Sequence, residues 1–150
     1  RTASIQEAHD NKGDAGWGML AVGLPDAPGA VSSDAIDSFS DNDQSTGQRR
    51  TRFLVAGLAG LGRISNGTRN SWDRQLNLQL GRETRWSALI DRAGELENAA
   101  LVSVLMGVGM QGDDWSRMTP RHLYDIISAL RRSGMEAEAR MIAAEAIARA

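Results

Sequence analysis

Gly107-Val108-Gly109-Met110-Gln111-Gly112 has the spacing G-x-G-x-x-G. After a strand and before a helix, that spacing lets free backbone N–H groups cradle a pyrophosphate. Here a helix-periodic segment precedes it, Asp113 and Asp114 follow at once and would repel a phosphate, and too little sequence follows for a βαβ unit. These glycines are expected to end a helix, and no cofactor is expected. Asp34, Asp37, Asp41 and Asp43, with Asn42 and Ser45, have the outline of a calcium loop. Glycine comes one position late at Gly47, and the bidentate acid position holds Arg52, so a solvated loop is the expectation. His9 and His122 are the only histidines, and adjacent Tyr124 and Asp125 would point away from His122 on a helix. Without cysteine there is no thiol nucleophile, disulfide or thiolate metal site. No catalytic or metal-ligating residue is expected, and the chain reads as a non-enzyme.

Binding is the chemistry left. Arg49, Arg50 and Arg52 are the one basic cluster, at the start of a helix where positive charge is unfavourable. They are candidates for docking an acidic partner or phosphate, against the alternative of an ordinary solvated face. Trp115 lies in the polar stretch 111–118, flanked by the adaptable Met110 and Met118, and is the first choice for a partner contact. Trp72 and Trp86 fall on helical stripes and are expected to fill the core. A net charge of −2, and acids Glu136, Glu138 and Glu145 on the last helix, speak against a nucleic-acid partner.

The elements that must position these residues follow from periodicity. The 150 residues, 41% hydrophobic and 24% charged, are one soluble domain's worth of material. The longest apolar run, Phe53–Leu61, falls short of the ~20 residues of a spanning helix, so no membrane insertion is expected. Residues 1–47 are rich in Gly, Pro, Asp and Ser and read as a loop-rich or linker-like segment. Their exceptions are one apolar tether (Trp17, Met19, Leu20, Val22, Leu24) and about two helical turns over Ser33–Phe39.

Residues 48–150 read as a helical domain. Phe53–Leu61 is apolar nearly all round, hence buried. Ser71 reads as the cap of a helix carrying Trp72, Leu76 and Leu80, with Gly81 as its terminator. From Thr84, the stripe Trp86, Leu89, Ile90 and Ala93 marks the next helix. Leu96 to Met110 repeats the spacing with Leu101, Val104, Leu105 and Val108, adds Val102 and Met106, and should therefore be central. Thr119 caps and Pro120 opens a helix with Leu123, Ile126, Ile127 and Leu130, closed at Gly134. The last helix turns Met135, Ala139, Ile142, Ala143 and Ala146 inward. No strand pattern occurs, and the fold class is all-α.

Ala88–Gly107 laid on Ser128–Ile147, 40 residues on, shows the same helix–glycine–helix shape, with Leu101 on Met141 and Val102 on Ile142. Such spacing belongs to helix pairs that bury their apolar faces against one another. Thr119–Arg149, with Leu123, Tyr124, Ala129, Gly134, Ala139 and Ala146, resembles a tetratricopeptide-type hairpin, while the offset is nearer the HEAT and armadillo range. The likeness covers residues 84–150 and lacks the tetratricopeptide family's early Trp and terminal Pro. The resemblance implies an α-solenoid-like stack of antiparallel helix pairs and a non-catalytic protein-interaction or scaffolding role. The partner would be another chain or another domain of the same protein. The arginine-for-lysine bias is that of a GC-rich bacterial genome, and a start at Arg1 suggests the C-terminal part of a longer protein, in cytoplasm or periplasm. The alternative expectation is a helical accessory domain of a cell-wall or envelope enzyme whose catalytic part lies outside this chain.

Overall fold

The computed structural model describes residues 15–25, 30–110 and 115–150. Eight α-helices account for most of them: α1 Ala15–Gly23, α2 Ser33–Asp41, α3 Arg49–Gly60, α4 Asn66–Leu76, α5 Arg85–Glu95, α6 Ala99–Gly109, α7 Pro120–Arg132 and α8 Glu136–Ala148. No strand occurs among the described residues, and the helices pack as a bundle. Single 3-10 turns at Thr46–Gln48 and Trp115–Arg117 lead into α3 and α7.

Local chemistry sets the helix starts. The Ser32, Ser65, Thr84, Asn98 and Thr119 side chains each accept a hydrogen bond from a backbone N–H in the first turn that follows. Thr84 and Ser87 bond reciprocally as a capping box. Pro120 occupies the opening turn of α7, where a missing N–H costs nothing.

The core forms around α3 and α7. Phe53, Leu54, Val55, Ala56 and Leu58 of α3 are fully buried, as are Leu123, Ile126, Ile127 and Ala129 of α7. A Cβ at Gly60 would lie 2.8 Å from the Ile127 side chain and 3.2 Å from the Tyr124 carbonyl oxygen, so glycine is what lets α3 and α7 approach this closely. The α5–α6 and α7–α8 hairpins both form, and α7 packs against α3, α5, α6 and α8. Ala139, Ala143 and Ala146 line the buried side of α8, as their spacing predicts.

Three expectations are corrected. Ala15–Gly23, read as part of a loop-rich segment, is a helix packed along α8, with Val22 fully buried. Gly18 serves packing: a Cβ there would come within 2.8 Å of the Phe39 ring. The α4 helix begins at a Ser65 cap, six residues before Ser71, and it ends at left-handed Asn77 (φ 50) rather than at Gly81. Gly94 is the penultimate residue of α5. It lies inside the helix, where a Cβ would meet the Ala129 Cα of α7 at 3.1 Å, and Glu97 (φ 51) takes the left-handed turn position that Gly134 (φ 78) holds in the other hairpin. Finally, α6 is not central. Val102 is its one buried residue, because α6 meets the bundle mainly along α5 and α7, with Ser103 reaching Met135 at 3.8 Å, and leaves its outer side open.

Candidate interaction surface

Arg49 is built into the fold. Its guanidinium donates to the carbonyl oxygens of Trp115 (2.5 Å) and Met118 (3.2 Å) and lies 4.5 Å over the Phe53 ring. It thereby brings two separately expected groups, the arginine cluster and the Trp115–Met118 stretch, into one corner. Met118 is buried there, while Trp115 and Met110 are half-buried against the core. Arg52 donates through Nε to the Gly47 carbonyl at 2.8 Å, and Arg50 is half-buried.

The unfavourable charge at the start of α3 has a local answer. One Asp43 oxygen accepts from the Ser45 N–H and hydroxyl, the other from the Thr51 N–H and hydroxyl, at 2.5–2.9 Å. Burial pushes this carboxyl up, but the Ser45 and Thr51 hydrogen bonds outweigh it and hold Asp43 below the ordinary carboxylate value. The acid of the calcium-like tract is thus a helix-capping acceptor. Among the described residues no cluster of three or more His, Cys, Asp or Glu side chains could hold a metal ion.

The glycine-rich end of α6 meets a stacked ring pair. The Trp86 indole donates to the Leu105 carbonyl at 3.0 Å and lies on the His122 imidazole, centroids 4.1 Å apart and planes 18° from parallel. A Cβ at Gly109 would fall 2.5 Å from the indole and 2.7 Å from His122 Nε2, so this position of the phosphate-loop spacing is fixed by packing. Burial pushes His122 below its ordinary value, opposed by the Gly109 backbone and assisted by Arg121.

A polar cleft of about 550 Å³ opens beside the α5–α7 contact, under residues 80–83. Ser87, Asp91, Asp125, Ser128 and Arg132 line it, and Arg132 pairs with Asp91 and hydrogen-bonds the Ser128 hydroxyl. Asp125 is left in that wall with its carboxyl pushed up to about 7, by burial first and then by the neighbouring Asp91 charge, against the weaker pull of Arg121 and Arg132.

The largest departure from ordinary surface chemistry is on α6. Leu101, Val104 and Val108 are 42%, 63% and 51% exposed. Helix geometry puts them on one side of α6, with Ala100, Ser103 and Gly107, also exposed, on the adjoining side. No residue of Ala99–Gly109 is charged. Nearby Leu89 and Leu96 are exposed as well, at 59% and 64%. This stripe is visible in the sequence, where its spacing predicts a central, buried helix. The helix is apolar on nearly every side, so periodicity carries no information about which side faces in.

No protein-family model matches this chain, and neither does a curated protein or a solved structure.

Proposed function

We propose that this chain is a non-catalytic helical module for protein–protein interaction or scaffolding, with the exposed side of α6 as its docking surface. One observation carries the reading: an uncharged helix presents a continuous apolar stripe, Leu101–Val104–Val108, to solvent. Surface stripes of this kind are where helices dock on apolar partners, because removing them from water is favourable by about 25 cal/mol per Å². The paired-helix architecture supports the same role, since it seats α6 against α5 and α7 while leaving its outer side open. Among the described residues no helix is long and apolar enough to cross a membrane.

The test compares immobilised wild-type chain with Val104→Glu and Val108→Glu as baits, after circular dichroism shows equal helicity. Proteins held by the wild type and released by both variants are the expected result. If nothing distinguishes the three baits, the chain's own copy included, the reading is wrong.

A further inference from the structure

We propose that the polar cleft beside the α5–α7 contact binds a free basic amino acid, lysine or arginine, with the ligand's side-chain cation on Asp125 and its carboxylate on Arg131. The site is separate from α6 and does not depend on the docking reading. At about 550 Å³ the cleft is in the range of pockets that take small organic molecules, roughly 300 to 1,000 Å³.

Two opposite charges in its lining have no partner. Asp125 and Arg131 both line the cleft, and among the described residues neither side chain makes a hydrogen bond or an ion pair. Asp125 is half-buried and close enough to Asp91 for the two carboxylates to repel. Arg132 does not relieve it, being engaged by Asp91 and the Ser128 hydroxyl. The Arg131 guanidinium lies over Gly62, where a Cβ would fall 2.9 Å from it, so this cation is positioned by packing while its donors stay unused. A carboxylate partly removed from water destabilises the fold unless something pairs with it, and such groups in clefts collect at binding sites.

Helix geometry sets the two charges on different sides of the cleft. Around α7, Asp125 and Arg132 fall within about 20° of each other, Tyr124 and Arg131 likewise, and Ser128 lies between the two groups. The first group faces α5, because Arg132 bonds Asp91. The second faces the α3–α4 side, because the Tyr124 hydroxyl accepts from Arg69 of α4 at 3.3 Å and Arg131 lies on Gly62. The cleft therefore has a net acidic wall toward α5 and a basic wall toward α4, and Arg82 and Glu83 above add one charge of each sign. Asp125 and Arg131 are also six residues apart, about 9 Å of rise along the helix. One ligand reaches both only if its cation and carboxylate are several bonds apart, as they are in lysine and arginine. Other ligand classes fit less well. Among the described residues no group of three acid or histidine side chains could hold a metal ion, and Asp91 and Asp125 would repel a polyphosphate.

Isothermal titration calorimetry of the whole chain at pH 8, where Asp125 is ionised, tests this with L-lysine and L-arginine. Two analogues report the two ends: norleucine lacks only the side-chain ammonium of lysine, and cadaverine lacks only its carboxylate. Lysine or arginine should bind with a dissociation constant of about 1 mM or tighter, and each analogue at least about 10-fold more weakly than lysine. Asp125→Asn and Arg131→Gln should keep wild-type circular dichroism and each weaken binding of the amino acid at least about 10-fold, with Arg131→Gln leaving cadaverine unaffected. In the unaltered chain, the amide resonances of Ser87, Asp91 and Ser128 should shift on titration while those of α6 stay in place, which locates the ligand without any substitution. A wild type that binds neither amino acid overturns the proposal, as does norleucine or cadaverine binding as tightly as lysine. Folded Asp125→Asn and Arg131→Gln variants with unchanged affinity overturn it too, and so do resonance shifts confined to other parts of the chain.

Discussion

Among the described residues, Asp125 is an acid in a cleft wall with no hydrogen-bonded cation of its own: Arg132, which lines the same cleft, is held by Asp91 and Ser128. Its carboxyl is raised to about 7 in the folded chain, from an ordinary 3.8. The folded state therefore binds this proton more tightly than the unfolded state. The resulting stability is fully present below pH 3.8 and is lost as pH rises through about 7. Asp125→Asn should remove that loss and raise stability at pH 8 by about 1–2 kcal/mol, less than full burial would give because the cleft admits water. Chemical denaturation at pH 5 and pH 8 checks this, and the gain should shrink at the lower pH.

His122 has the opposite sign. Its folded value lies below the ordinary 6.5, so its contribution is intact above that pH and is lost as pH falls through the lowered folded value. Protonation puts an imidazolium against the Trp86 ring, where it quenches indole emission. Native-state fluorescence should drop with a midpoint below 6.5, and His122→Gln should abolish the step. At the same residue scale, Asp43 shows how the start of α3 accommodates Arg49, Arg50 and Arg52: its carboxylate supplies the negative charge and accepts the N–H of Thr51 in the first turn.

Among the elements, α1 is the one whose existence rests most on its surroundings. AGWGMLAVG carries three glycines and no charged residue, and nine residues make a poor isolated helix. Packing against α8 and Phe39 holds it, and so does Arg63, a buried guanidinium from beyond the end of α3 that donates to the carbonyls of Ala21 (2.8 Å) and Leu24 (2.5 Å). Those are carbonyls at the C-terminal end of α1, which lack partners within the helix. Arg63→Ala should cost about 2 kcal/mol and release α1 preferentially. Hydrogen exchange is the measurement: the amides of α1 should lose protection while those of α3 and α7 keep most of theirs.

For the whole molecule, α1 and α8 join the two ends of the described chain, and α3 and α7 bury the middle. Unfolding should therefore be a single cooperative transition that includes residues 15–23. Near-ultraviolet and far-ultraviolet circular dichroism should melt with one midpoint. A separate early transition removed by deleting residues 1–24 would show instead that this segment is an appendage, as the composition of residues 1–47 suggests.

Much of this molecule could be read before folding was considered. The α7 helix is announced by Thr119, Pro120 and an unbroken Leu123–Ile126–Ile127–Leu130 stripe, α8 by its inward alanines, and α3 by apolar residues on nearly every side. Each is decided by its own neighbours in sequence, through capping and through period. Other features depend on contacts between distant residues. Glycines 18, 94 and 109 look like breaks, yet they are close-packing sites against Phe39, Ala129, Trp86 and His122, partners between 13 and 35 residues away. Arg49 looks like a free surface cation until Trp115 and Met118 arrive, 66 and 69 residues on. The candidate surface is the sharpest case. The stripe Leu101–Val104–Val108 is plain in the sequence, but its direction was settled by assembly, when α5 and α7 took Val102 and left the stripe in water. Sequence alone determined the helices α3, α7 and α8 and which faces are apolar, because those follow from local backbone and side-chain chemistry, whereas α1 needed its packing against α8 to be a helix at all. Tertiary structure decided which apolar face stays outside, because that depends on how many neighbours each helix finds.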